Sequence, residues 1–134
     1  MNYDQNDAAT LARTLFGEAR GEPRDGKVAV AWVIRNRAER KAFAGSLLGQ
    51  AGAVSHICLA PRQFSCWNNG DPNRPLLIKL QPNQCPDESA IAAEVLEGTT
   101  VDASVARHAG VGELFAGELA ASAAAAAPTG TQAH

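Results

Sequence analysis

The stretch LARTLFGEARGEPRDGKVAVAWVIRNR, residues 11–37, holds two helical patterns separated by a glycine and a proline. In the first pattern, apolar residues recur at the i, i+3, i+4 and i+7 spacing of an amphipathic helix, which predicts a helix over residues 7–20 with Asn6 or Asp7 as its N-cap. In the second pattern the first half is apolar on every side, which predicts an enclosed helix over residues 27–40. An amphipathic helix beside a buried one indicates a mainly α fold.

The rest of the chain is read from its prolines, glycines and alanines. Five prolines fall within residues 61–86, which predicts a long ordered loop of the kind that often carries function. A further helix is predicted over residues 87–97, with Gly98 as its stop. A short hairpin in the loop region would make the fold α+β. We expect one domain over residues 1–100, followed by a divergent alanine-rich segment of uncertain order over residues 101–134.

Composition excludes several classes of protein. The 134 residues carry a formal net charge of −2, which argues against a protein that binds nucleic acid by neutralising phosphates. No apolar run approaches the roughly 18 residues of a membrane span, so we expect no membrane insertion. The N-terminus MNYDQNDAAT lacks the features of a signal peptide, and we expect synthesis in the cytoplasm without one.

The three cysteines are too few for a disulfide scaffold. Cys66 either packs in the interior or pairs with Cys58 or Cys85. The three histidines show no H-x-x-x-H or H-E-x-x-H spacing, and no C-x-x-C occurs, so we expect neither a metal nor another cofactor. His56 with Cys58 is only a weak metal-binding pair.

Glu18 is the candidate for acid chemistry. At about 100° of rotation per residue, Glu18 lies on the apolar side of the first helix with Leu11 and Leu15. A carboxyl group there is partly removed from water, which favours the protonated form that a general acid needs. Gly17 leaves space for a ligand or another backbone to approach. Glu22 is the weaker candidate for acid chemistry, because Gly21 before it allows the chain to turn Glu22 away from Glu18. The pattern alone also allows a structural role, in which Glu18 pairs with an arginine or accepts from a backbone amide.

Two segments resemble the cell wall hydrolase family, which includes spore-cortex-lytic germination enzymes and many phage-type peptidoglycan hydrolases. The first segment runs over residues 11–23 and 25–37, and the second, Gln63-Phe64-Ser65-Cys66-Trp67-Asn68, is similar to the family's QFS segment. The resemblance covers roughly residues 7–100. It implies a lysozyme-like single catalytic domain that cleaves the glycan strands of peptidoglycan between N-acetylmuramic acid and N-acetylglucosamine.

The resemblance also implies roles for individual residues. Glu18 matches the catalytic acid, which would protonate the glycosidic oxygen as the bond breaks. A lytic transglycosylase, in which the muramic acid's own 6-hydroxyl attacks, needs only this carboxylate. Hydrolysis would normally need a second one, for which Glu22, Asp25 and Asp71 are available.

The loop segment would line the substrate site. The resemblance supports Gln63 and Ser65 as residues that contact substrate, and Glu22 is a further candidate for binding. Trp67 offers a flat face against which a sugar ring would lie, although Trp67 and Phe64 are alternatively core rings that hold the loop.

The resemblance weakens after Gly98, where His108 alone is suggestive of the family's usual continuation. A non-catalytic cell-wall-binding or virion-associated remnant of the family therefore stays open, with a peptidoglycan amidase as a third reading. Our expectation is a monomeric, phage-like endolysin that acts on peptidoglycan at the cell wall or periplasm. It would reach the wall through a lysis system or within a phage-like particle.

Overall fold

The structure of the protein, a computed structural model, describes residues 1–100. These residues form six α-helices and no strand: α1 (Gln5–Ala19), α2 (Arg24–Ala38), α3 (Lys41–Ala44), α4 (Ala53–Leu59), α5 (Asn73–Lys79) and α6 (Pro86–Glu97). Short 3₁₀ turns lie at Gly45–Leu47, Ser65–Trp67 and Pro82–Gln84. The mainly α prediction is confirmed, and the hairpin is absent from this part of the chain. The likeness to lysozymes stays a prediction, and the segment 101–134 lies outside the described residues.

The core lies where α1, α2, α4 and α6 pack against one another. Its fully buried side chains include Leu11 and Leu15 from α1, Ile34 from α2 and Ile91 from α6. The apolar run of α2, residues 28–34, is buried on all sides, as its composition predicts, because helices cover it from more than one direction. None of the helices within residues 1–100 is long and apolar enough to cross a membrane.

The N-terminal end of α1 differs from the prediction. Asp4 is the N-cap, and its Oδ1 accepts a hydrogen bond from the Asp7 N–H at 2.8 Å. The Asp7 carboxylate in turn accepts from the Asp4 N–H at 3.0 Å, which completes a capping box. The helix therefore begins at Gln5, earlier than the predicted start.

The predicted loop over residues 61–86 is wrong in one part, because α5 occupies Asn73–Lys79. Pro75 lies in the first turn of α5, where a helix has no partner for the missing N–H. The Asp71 Oδ1 accepts from the Asn73 N–H at 2.8 Å at the start of this helix. The helices α3 and α4 lie over residues 41–60, for which no element is predicted from the sequence.

The buried Asp7 carboxylate joins α1 to α4. It accepts hydrogen bonds from the Gly52 N–H at 2.8 Å, the Ser55 N–H at 2.9 Å and the Ser55 hydroxyl at 2.7 Å. Gly52 is the N-cap of α4, so the carboxylate satisfies N–H groups that the start of a helix leaves unpaired. Burial by itself would raise the pKa of Asp7, but these hydrogen bonds, together with that from Asp4, outweigh it and lower the pKa.

We expect Asp7→Asn to destabilise the domain by about 2 kcal/mol near neutral pH, because the amide nitrogen would face backbone donors. A carboxyl group whose pKa is lowered in the folded state stabilises fully above its unfolded pKa of about 3.9. That contribution disappears as the pH falls through the folded pKa. Urea unfolding of both proteins should therefore show a free-energy difference that shrinks below about pH 4.

The exposed Asp87→Asn change serves as the matched control and should have well under half the effect of Asp7→Asn. A difference between wild type and Asp7→Asn that stays constant from neutral to strongly acid pH would contradict this account.

Candidate functional site

Glu18 lies in the last turn of α1 and is half-buried against the 3₁₀ turn Ser65–Trp67, which we call the site turn. Its Oε2 accepts a hydrogen bond from the backbone N–H of Cys66 at 3.0 Å. The Cys66 thiol also forms a side-chain hydrogen bond with Glu18. Burial, followed by this hydrogen bond and the charge of Glu18, raises the pKa of Cys66, so the thiol stays protonated. The backbone and side chain of one residue therefore hold the Glu18 carboxylate.

Gly17 allows the site turn to approach α1 this closely. A Cβ atom at this position would lie 2.8 Å from the Cβ and Sγ of Cys66 and 2.8 Å from the Cδ1 of Leu77. Such distances are shorter than real Cβ contacts, so a larger residue would push the turn or α5 away. The close approach expected at Gly17 is thus made by Cys66 and Leu77.

Trp67 is fixed to α1 by its indole nitrogen. The Nε1–H donates to the Thr14 Oγ1 at 2.9 Å, and the Thr14 hydroxyl donates to the Thr10 carbonyl oxygen at 2.8 Å. The ring is half-buried and packs against the core, whereas Phe64 is only 1% exposed and belongs to the core, as one reading of the sequence predicts. Trp67 therefore combines an anchored edge with surface that stays accessible.

Gln63 is half-buried, and its side-chain Oε1 accepts a hydrogen bond from the Nη1 of Arg37 at 2.6 Å. Arg37 is buried near the end of α2. The sequence gives no signal for this contact, because Arg37 is one of several basic residues near that helix end. Ser65 begins the site turn and is exposed.

The three candidates for a second carboxylate have different surroundings. Glu22 follows α1, is half-buried, and its N–H donates to the Ala19 carbonyl oxygen at 2.9 Å. Asp25 is exposed in the first turn of α2. Asp71 is half-buried. Its negative charge adds to the effect of burial in raising the pKa of Cys66, so Asp71 is electrostatically linked to the site turn.

All three cysteines are free and buried, so Cys66 packs and is not in a disulfide. Burial raises the pKa of Cys58 to about 12. Within residues 1–100, no three side chains of His, Cys, Asp or Glu are grouped so that they could hold a metal ion. His56 is exposed on α4, and His108 and His134 lie outside the described residues.

One short turn therefore holds a half-buried carboxyl group and carries an anchored aromatic ring, an arrangement that allows acid–base chemistry. The family model described as Cell Wall Hydrolase matches residues 21–108. This chain belongs to the cell wall hydrolase family. Glu18 lies just before the matched residues.

Individual relatives agree with the family match. The chain is 37% identical over 93 residues to a spore cortex-lytic enzyme of Oceanobacillus iheyensis. The aligned region is 69% of this chain and 29% of that protein. It is 34% identical over 91 residues to the spore cortex-lytic enzyme of Bacillus subtilis, an alignment that covers 68% of this chain and 26% of that protein. For the Halalkalibacterium halodurans enzyme the identity is 47% over 88 residues, with coverage of 66% and 22%.

The chain therefore spans less than a third of the length of these curated relatives. No solved structure matches it significantly.

We expect Gly17→Ala to lower the unfolding midpoint. Alanine normally favours a helix over glycine by about 1 kcal/mol, so a loss of stability would come from the new Cβ against Cys66 and Leu77. Thermal unfolding followed by circular dichroism measures this effect.

Gly21→Ala is the matched control, because a Cβ there meets nothing within 4 Å. It should leave the unfolding midpoint close to that of the wild type. A Gly17→Ala protein that is as stable as Gly21→Ala would show that the close packing at Gly17 is not required.

Proposed function

We propose that this chain cleaves peptidoglycan glycan strands between N-acetylmuramic acid and N-acetylglucosamine, as a lytic transglycosylase with Glu18 as general acid and base. The observation that carries the proposal is the Glu18 carboxylate, half-buried and held by the Cys66 N–H at 3.0 Å. The family membership and the spore cortex-lytic relatives support peptidoglycan as the substrate.

In the proposed reaction, protonated Glu18 gives its proton to the glycosidic oxygen as the bond from the muramic acid's anomeric carbon breaks. The positive charge that develops on the sugar is then quenched by its own 6-hydroxyl, whose oxygen bonds to the anomeric carbon. Glu18, now a carboxylate, takes the hydroxyl proton and returns to its starting state. One carboxyl group completes the cycle, and the products are a 1,6-anhydro end and a free 4-hydroxyl.

The fixed geometry of Glu18 suits this double role. A general acid must lie within hydrogen-bond reach of the leaving oxygen and then of the attacking hydroxyl. Because a backbone N–H of the site turn holds one carboxylate oxygen, the group keeps its orientation between the two proton transfers. The accessible part of Trp67 would support a sugar ring beside it.

Hydrolysis is the second candidate reaction, and the position of Asp71 near the site turn favours it. Asp71 is half-buried and its charge acts on Cys66, which contacts Glu18, so it is the carboxylate that we would assign to activating a water molecule. The product would then carry a reducing end. Release of stem peptides would instead indicate an amidase.

We expect Glu18→Gln to lower the rate of glycan cleavage at least about 100-fold, because glutamine keeps the shape and can accept from Cys66 but has no proton to transfer. Release of soluble fragments from purified sacculi measures the rate. The exposed Glu97→Gln change is the control and should retain wild-type activity. Unchanged cleavage by a folded Glu18→Gln protein would sink the assignment of Glu18.

Mass spectrometry of the released muropeptides distinguishes the two reactions. We expect 1,6-anhydro-muramic acid ends from the wild type, because the proposed site needs a single carboxyl group. Reducing ends, together with loss of activity in Asp71→Asn, would establish hydrolysis instead. A folded protein that binds sacculi and releases no fragments would be a non-catalytic cell-wall-binding member of the family.

A further inference from the structure

The side-chain amide of Gln63 has one end that accepts hydrogen bonds and one end that donates them, and its neighbour decides which end faces inward. Arginine has five N–H donors and no acceptor. The amide oxygen, not the nitrogen, must therefore face the Arg37 Nη1, which lies 2.6 Å from Oε1. A hydrogen bond from a charged donor at this distance is a strong one.

Arg37 is itself held in place. Arg37 is only 7% exposed, and its guanidinium carbon lies 5.4 Å from the centre of the Phe43 ring and 5.6 Å from the centre of the Phe64 ring. Contacts with aromatic rings at these distances stabilise a cation. Since a guanidinium does not lose its proton in proteins, the orientation that it imposes on Gln63 does not change with pH.

Gln63 lies two residues before the site turn in the chain. The next residue, Phe64, is buried in the core, and the site turn that follows places the Cys66 N–H on Glu18 and the Trp67 indole on Thr14. The Gln63 side chain is half-buried, so part of it stays accessible. The amide nitrogen is the end that Arg37 does not engage.

We propose that Arg37 is a positioning residue that presents the Nε2 of Gln63 as a hydrogen-bond donor to the carbonyl oxygen of an N-acetyl group on the glycan. A sugar hydroxyl both donates and accepts, so it would bind either end of the amide. A carbonyl oxygen accepts only, so for this group the orientation fixed by Arg37 decides whether binding occurs. The inference rests on the proposed function, because it takes peptidoglycan glycan as the ligand.

The Gln63→Glu variant separates this role from a purely structural one. Glutamate has nearly the same size and still offers Arg37 an oxygen, but it has no N–H to donate at neutral pH. A residue needed only to pair with Arg37 would tolerate the change, whereas a donor to the glycan would not. Asn69→Asp adds the same charge at an exposed position just outside the Gln63–Asn68 segment and is the matched control.

Binding to insoluble sacculi is measured by co-sedimentation at neutral pH, with Glu18→Gln present in every protein so that no cleavage intervenes. We expect Gln63→Glu to weaken binding about tenfold, the value of one lost hydrogen bond, and Asn69→Asp to change it less than about twofold. On chemically de-N-acetylated sacculi the parent should bind more weakly, and its advantage over Gln63→Glu should disappear. Equal binding of the two proteins to native sacculi, or an advantage that persists after de-N-acetylation, would overturn the inference.

The part played by Arg37 is tested with Arg37→Lys, which keeps the charge but loses the planar fork. In the active protein we expect KM for glycan fragments to rise severalfold while kcat changes less than about twofold, because binding and not proton transfer is affected. A fall in kcat with unchanged KM would contradict a positioning role.

Binding is measured in the inactive Glu18→Gln background, so it does not depend on cleavage. A wild-type protein that cleaves nothing would contradict the proposed function, whereas the role of Gln63 would still be decided by the binding measurement. Absence of any binding to sacculi by the parent would overturn both.

Discussion

The close contact between α1 and the site turn at Gly17 is the constraint on which the candidate site depends. With no side chain at this position, Cys66 and Leu77 come within distances that a Cβ atom would forbid. The same contact brings the Cys66 N–H to the Glu18 carboxylate and the Trp67 indole to Thr14. A glycine in a helix costs about 1 kcal/mol relative to alanine, and here that cost is offset by the packing that it permits.

The other end of α1 is fixed by a different interaction. The buried Asp7 carboxylate caps its own helix through Asp4 and receives the N–H groups at the start of α4 through Gly52 and Ser55. Hydrogen bonds to a buried carboxylate are stronger than neutral ones, and breaking them leaves several donors unsatisfied. The helix that carries Glu18 is therefore held at both ends, which is how a small domain keeps one carboxyl group in a defined place.

The parts of the fold with local signals are predicted from the sequence. The periodic apolar residues of α1, the apolar run of α2 and the proline-to-glycine span of α6 identify those three helices, although α1 and α2 begin earlier than predicted. The short helix α5 was missed because its prolines lie before and within its first turn, where a helix tolerates them.

In the candidate site, too, only the features with a local signal in the sequence are predicted. The position of Glu18 on the apolar side of α1 follows from helical spacing. The roles of Cys66, Thr14 and Arg37 do not, because they arise from contacts between residues far apart in the chain. A basic residue near a helix end looks solvated in the sequence, and only packing shows that Arg37 is buried beside Gln63.

A crystal structure of Glu18→Gln with a bound glycan oligosaccharide would show whether Glu18 acts on the glycosidic oxygen. We expect the side chain of residue 18 to lie within about 3 Å of a glycosidic oxygen between N-acetylmuramic acid and N-acetylglucosamine, the reach of a proton transfer. A glycan bound with every glycosidic oxygen well beyond that reach, even via one water, would contradict it.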